Sequence, residues 1–151
     1  MRVVFVCWGN ICRSPMAERV ARSWAERDGV DATFTSAGVS SEGSGNPIDR
    51  RAAAVLTRAG YDAGGHRAHR ITADEIEQAD LVVAAEPMHL TRLRRLVPDA
   101  EHLRLLNDYN PELAPGTSLP DPWYGGPDDF VVTLDAVEAA LPGLFAEIAD
   151  L

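Results

Sequence analysis

The first fifteen residues constrain this chain more than any other stretch. Arg2-Val3-Val4-Phe5-Val6 is rich in β-branched and aromatic residues and reads as a buried strand. It passes directly into Cys7-Trp8-Gly9-Asn10-Ile11-Cys12-Arg13-Ser14-Pro15. Ser14 suits a helix cap and Pro15 its first turn, and Met16, Val20 and Trp24 then recur at helical spacing. The pattern predicts a strand, a short loop and a helix, with Cys7 at the strand's carboxyl end. Backbone N–H groups at a helix start lack partners and the helix dipole favours negative charge, so such a loop suits a phosphate.

Cysteine, five residues and arginine form the spacing that sets a thiolate beneath a bound phosphate while a guanidinium forks onto its oxygens. That points to cysteine-dependent phosphatase chemistry. Other readings of the two cysteines fit less well. Inert buried thiols are common, but they do not account for the whole string. Cys-x4-Cys with no nearby His is a poor zinc pattern. The loop is not a Walker A, because no Gly-Lys-Ser/Thr follows, and Gly9 alone makes no dinucleotide fingerprint.

At 151 residues the chain suits one domain, 1–151, with a substantial core. The apolar run after Met1 is too short for a secretory segment, and no stretch approaches transmembrane length. Two cysteines in one loop argue against a disulfide scaffold and for a reducing cytoplasm. A net charge of -9 disfavours nucleic acid and anionic membrane as partners.

Strand and helix signals alternate along the chain. Ala32 to Thr35 reads as a second strand ending in Ser36-Ala37-Gly38, followed by a polar loop from Val39 to Pro47 and a helix near Asp49–Ala59 stopped by Gly60. Thr72-Ala73-Asp74-Glu75 has capping-box spacing. Leu81 to Ala85 is a buried third strand, Pro87 opens a helix that Pro98 ends, and His102 to Leu106 is a fourth strand. A final helix runs from Asp128, and Pro142 is expected to kink or split it near Leu141. The alternation predicts an α/β fold, a four-stranded parallel sheet flanked by helices on both faces, doubly wound and Rossmann/flavodoxin-like. Ligands of such sheets bind beyond the carboxyl ends of the strands, where the Cys7 loop belongs.

Between Asn107 and Pro127 lies a loop of about twenty residues without a regular pattern, a length more often functional than idle. At its heart is Leu119-Pro120-Asp121-Pro122-Trp123-Tyr124-Gly125-Gly126. Flanking prolines restrict Asp121 and would hold its carboxylate in place. The alternative is an Asp-Pro turn whose two aromatics pack on the core.

The two segments together resemble the low-molecular-weight protein tyrosine phosphatases. The matches are Val6-Cys7 with Gly9-Asn10-Ile11-Cys12-Arg13-Ser14-Pro15-Met16-Ala17-Glu18, and Asp121-Pro122-Trp123-Tyr124-Gly125. Weaker echoes are Ser36-Ala37-Gly38, Pro47 with Asp49 and Arg51-Ala52, and His66-Arg67-Ala68 with Ile71. The likeness runs from residue 2 to about 145. It implies no metal, no cofactor and a phosphocysteine intermediate. Residue by residue, it implies Cys7 as nucleophile, Arg13 as phosphate clamp and Asp121 as general acid, then base. Trp8, Gly9, Asn10, Ile11, Cys12, Arg13 and Ser14 would form the phosphate-binding loop. Ser14 would bond the thiolate, and Asn10 would hold the loop's turn through Ser36 and His66. His69 stays unassigned. Cys12 is read as a redox partner of Cys7. The implied substrates are phosphotyrosine-containing proteins and the product is inorganic phosphate, made by a cytoplasmic monomer. A thiol's ordinary pKa of ~8.5 can fall to about 3.5–7.5 beside a helix start and a cation.

The sequence departs from the family at several positions. Trp8 follows the nucleophile where a smaller residue is usual. Ser41-Glu42-Gly43 stands where an aromatic-His pair often walls the substrate slot, so the expected pocket is Trp8, Glu42, Trp123 and Tyr124. Glu86 and His89 replace an Asp and an Asn after the third strand. Three rival functions share the scaffold. An arsenate reductase needs further cysteines after Cys12, and there are none. A protein-arginine phosphatase tends to carry Thr at the Ile11 position. A non-catalytic phosphotyrosine-binding module would lack Cys7, Arg13 or Asp121.

Overall fold

In the computed structural model, which describes residues 1–151, four parallel strands form one sheet in the order β2-β1-β3-β4. They are β1 (Arg2–Cys7), β2 (Thr33–Gly38), β3 (Leu81–Ala84) and β4 (Leu103–Leu105). The helices are α1 (Arg13–Asp28), α2 (Arg50–Arg58), α3 (Ala73–Gln78), α4 (Pro87–Leu96) and α5 (Pro127–Asp150). Side chains of a strand alternate between faces, and β1 uses this to serve two cores. Val3, Phe5 and Cys7 face α1, α2 and α5, whereas Val4 and Val6 face α3 and α4. Phe34 stacks between Phe5 and Phe145 at 6.0 and 5.7 Å, joining sheet to α5. The chain leaves β1 toward β2, then crosses back to β3. The crevice at that switch lies beyond the end of β1, beside Cys7. No helix is long and apolar enough to cross a membrane.

The expected elements are present, with Asp49 capping α2 through Arg51 N–H and the Thr72–Glu75 capping box formed. Three expectations need correction. Ser14 does not cap α1; the cap position is Cys12, without a side-chain bond, and the Ser14 hydroxyl turns toward Cys7. The long segment after β4 is not wholly irregular, since Leu106–Tyr109 and Pro122–Tyr124 form 3-10 turns. Finally, α5 is not split at Pro142. Pro142 is exposed, and a helix carbonyl freed on the solvent side can bond water, so the proline is tolerated there.

Candidate active site

Cys7 ends β1, and residues 8–12 wrap into the start of α1. None of the backbone N–H groups of residues 8 to 14 has an acceptor within the protein. They make seven consecutive free donors running from the end of β1 into the first turn of α1, at that helix's positive end.

Asn10 makes the wrap possible. It is the only non-glycine residue with positive φ, 59°, a left-handed conformation that Asn tolerates better than most. Every polar atom of its side chain is engaged. Nδ2 donates to Ser14 Oγ at 2.9 Å and to Ser36 Oγ at 3.0 Å, while Oδ1 accepts from the His69 N–H at 3.1 Å. His66 Nε2 donates to the Asn10 carbonyl at 2.6 Å. Burial holds the His66 pKa below its ordinary value, with the bond to Asn10 opposing. Ser14 Oγ accepts from Asn10, and its own proton has two acceptors in reach, Cys7 Sγ at 3.0 Å and the Ala37 carbonyl at 3.4 Å.

Arg13 is 2% exposed and held from behind. Nη1 donates to Glu86 Oε2 and to the Leu119 carbonyl, both at 2.7 Å. The Nε–Nη2 edge makes no hydrogen bond, and Nη2 lies 3.6 Å from Asp121 Oδ2. Glu86 follows β3, the neighbour of β1, so its carboxylate reaches the same crevice. That neighbourhood was the only sequence signal for its contact with Arg13. His89 lies behind Glu86, fully buried. Its Nδ1 accepts the Glu86 N–H at 3.2 Å, so the neutral ring carries its proton on Nε2, which has no hydrogen-bond partner and lies 3.7 Å from Glu86 Oε2. Burial, helped by the nearby Arg13, pushes the His89 pKa down to about 4.

Asp121 accepts the Trp123 N–H at 3.1 Å and is 41% exposed. With Cys7, Trp8, Ile11, Arg13 and Glu42 it lines a cavity of about 310 Å³ that Trp123 and Tyr124 complete. The two aromatics are not packed on the core: Trp123 is 44% and Tyr124 93% exposed. Trp8 is fixed on two sides, its Nε1 donating to Glu42 Oε2 at 2.7 Å and the Arg92 guanidinium lying 4.5 Å from its ring. Gly43 packs so tightly on the Gly9 carbonyl that a Cβ there would collide with it, which brings Glu42 to the rim. Cys12 lines the same cavity but is buried, and its thiol is pushed well above the ordinary range by burial and then by the carboxylate of Asp49. The sequence-derived residues thus gather in two layers. Cys7, Trp8, Gly9, Ile11, Cys12, Arg13, Glu42, Asp121, Trp123 and Tyr124 line the cavity, and Asn10, Ser14, Ser36 and His66 stand behind it.

Residues 2–150 match the family model described as low molecular weight phosphotyrosine protein phosphatase. A low molecular weight protein-tyrosine-phosphatase of Streptomyces coelicolor is 44% identical over 155 residues, spanning 99% of this chain and 94% of that protein. A solved protein tyrosine phosphatase from Entamoeba histolytica, with Hepes in its active site, superposes with a TM-score of 0.93 at 26% identity, covering 99% of this chain and 97% of the other. The YwlE arginine phosphatase of Bacillus subtilis, solved with a phosphorylated active site serine, superposes at 0.89 with 29% identity, covering 99% and 96%.

Proposed function

The chain belongs to the low molecular weight phosphotyrosine protein phosphatase family, and from that premise we propose that it hydrolyses phosphotyrosine in protein substrates through a phosphocysteine on Cys7. We read residues 1–151 as one phosphatase unit, since both cores share the single sheet. The observation that carries the reading is the run of unpaired N–H groups from residue 8 to 14 between Cys7 and α1, with Ser14 Oγ 3.0 Å from the Cys7 sulfur.

In the first step the Cys7 thiolate attacks phosphorus and the bond to the phenolic oxygen breaks. The donors of the loop and the Nε–Nη2 edge of Arg13 match charge spread over three equatorial oxygens. Asp121 gives its proton to the departing phenolate, work that typically contributes ~10²–10⁴ in rate. In the second step the Asp121 carboxylate takes a proton from water, whose oxygen attacks the phosphocysteine. The sulfur–phosphorus bond breaks, and the Ser14 hydroxyl stabilises the leaving thiolate. Inorganic phosphate is released.

Ile11 and the aromatic side chains around the cavity suit a phenyl ring better than the polar guanidino group of phosphoarginine. The test is turnover of phosphotyrosine, phosphoserine and phosphoarginine peptides by wild type, Cys7→Ser and Arg13→Lys. Wild type should prefer phosphotyrosine and be indifferent to chelators. Cys7→Ser should be folded and inactive, because a hydroxyl is far less ionised than a thiol. Arg13→Lys should be severely impaired, because an ammonium cannot reproduce the planar fork. Undiminished hydrolysis by Cys7→Ser would overturn the mechanism, and faster turnover of phosphoarginine would reassign the substrate.

A further inference from the structure

The start of α2 touches both loops of the site. The Asp49 N–H donates to the Ile11 carbonyl of the phosphate loop at 2.8 Å. The Asp49 carboxylate is forked by Arg51, Nε to Oδ1 at 3.1 Å and Nη2 to Oδ2 at 3.0 Å. The remaining arm, Arg51 Nη1, donates to the Gly125 carbonyl at 2.9 Å, at the far end of the segment that carries Asp121. The same guanidinium lies 5.5 Å from the Trp123 ring and 4.5 Å from that of Phe130. We propose that Arg51 is a positioning residue for proton transfer, joining the Asp121 segment to the phosphate loop so that the carboxylate is aimed at the leaving-group oxygen. The proposal rests on reading Asp121 as the general acid.

The segment has few other anchors. At its near end the Leu119 N–H bonds the Ala85 carbonyl at 2.9 Å, and the Leu119 carbonyl accepts from Arg13. At its far end Gly125 is held by Arg51, and Gly126 N–H donates to Asp129 Oδ2 at 2.9 Å. Gly125 packs against that Asp129 carboxylate so closely that a Cβ would collide with it. Asp121 hangs between the two anchors, and at the far one Arg51 makes the only link recorded from this segment to the α2 start and, through Asp49, to the phosphate loop. The fork is durable: burial would raise the Asp49 carboxyl, but the hydrogen bonds from Arg51 outweigh it and hold it below the usual range. Reactive geometry is demanding, and a misplacement of ~1 Å can cost about 10²-fold.

The test compares kcat/KM for phenyl phosphate, a poor leaving group, with that for 4-nitrophenyl phosphate, an activated one. Arg51→Met should lose about tenfold with phenyl phosphate, a fraction of the ~10²–10⁴ a general acid contributes. It should lose much less with the activated ester and leave competitive inhibition by inorganic phosphate unchanged. Arg51→Lys should recover part of the loss, keeping the charge over the rings but not the two-way fork. In an Asp121→Asn background Arg51→Met should add nothing, because its effect passes through the carboxylate. If loss of the ring contacts unfolds Arg51→Met, Asp49→Asn carries the test. It keeps a helix cap, breaks the charged fork and should show the same leaving-group pattern. Equal losses on both esters, weakened phosphate inhibition or an additive loss in Asp121→Asn would overturn the proposal while leaving Asp121 as the acid. A leaving-group-independent loss in Asp121→Asn alone would overturn the acid assignment and this proposal with it.

Discussion

Arg13 Nη2 and Asp121 Oδ2 face one another across 3.6 Å. The guanidinium edge proposed to clamp phosphate therefore lies beside the carboxylate proposed to protonate the leaving group. An arriving phosphate must take its place between them. Replacing Asp121 with Asn removes the proton and also one negative charge from that path. The expected outcome is a large loss of kcat/KM with phenyl phosphate, a small one with activated aryl phosphates, and inhibition by inorganic phosphate as strong as in wild type or stronger. A uniform loss, measured by steady-state kinetics across a leaving-group series, would assign the proton donor elsewhere.

Specificity should reside in the cavity wall. Trp8, tied to Glu42 and stacked by Arg92, lines the cavity together with the exposed Trp123 and Tyr124. An aryl phosphate can bond the loop and stack on these rings, whereas phosphoserine is too short to do both. Trp8→Ala or Trp123→Ala should raise KM for aryl phosphates several-fold while leaving inhibition by inorganic phosphate within about twofold. Glu42→Ala, which frees the indole N–H, should do the same more weakly. Equal weakening of phosphate binding would mean that Trp8 supports the loop rather than the substrate.

Peroxide should oxidise Cys7 to a sulfenic acid, and Cys12, on the same cavity, should condense with it to a disulfide with loss of water. Wild type should regain activity in dithiothreitol and show an intramolecular Cys7–Cys12 bond by mass spectrometry. Cys12→Ser should start active and recover poorly. Because burial and Asp49 hold the Cys12 thiol protonated, disulfide formation should accelerate as pH rises. Equal recovery of the two proteins would leave Cys12 a packing role only.

His89 predicts a stability change with pH. Its folded pKa, about 4, lies below its ordinary 6.5, so between those values the unfolded chain binds more protons than the native one. Native stability is then full above pH 6.5 and falls as pH drops toward 4, by about 3 kcal/mol at most from this group. His89→Asn has no titrating ring, so denaturant unfolding at pH 7 and pH 4.5 should show a smaller drop than wild type. The groups that face the ring, Arg13, Glu86, Asp121 and Arg92, are the same in both proteins. An identical drop would place the pH sensitivity elsewhere.

The sheet, its flanking helices and the family of the chain were legible because each has a local signature: β-branched runs, capping residues and a fixed cysteine–arginine spacing. Ser14 shows where local signatures mislead. A serine before a proline suits a helix cap, but Asn10 and Cys7 compete for its hydroxyl, and tertiary contacts win. Glu86 behind Arg13, and Arg51 between the two loops, were not legible as partners. They lie 73 and 74 residues from the groups they bond. Only the folded sheet brings them together. Pro142 does not split α5 for a related reason, since its cost depends on which side of the helix meets water.

The position of β1 gives the two halves of the site different lifetimes. β1 is bonded along both edges, to β2 and to β3, so its amides should exchange with solvent deuterium only when the sheet itself opens. Residues 107 to 126 contain no strand and are tied down at a few points, so their amides should exchange through cheap local openings. Cys7 should thus share the persistence of the sheet, while the Asp121 segment should open on the faster timescale of a loop. Mild heating should therefore disorder the Asp121 segment well before it disturbs the end of β1 at Cys7.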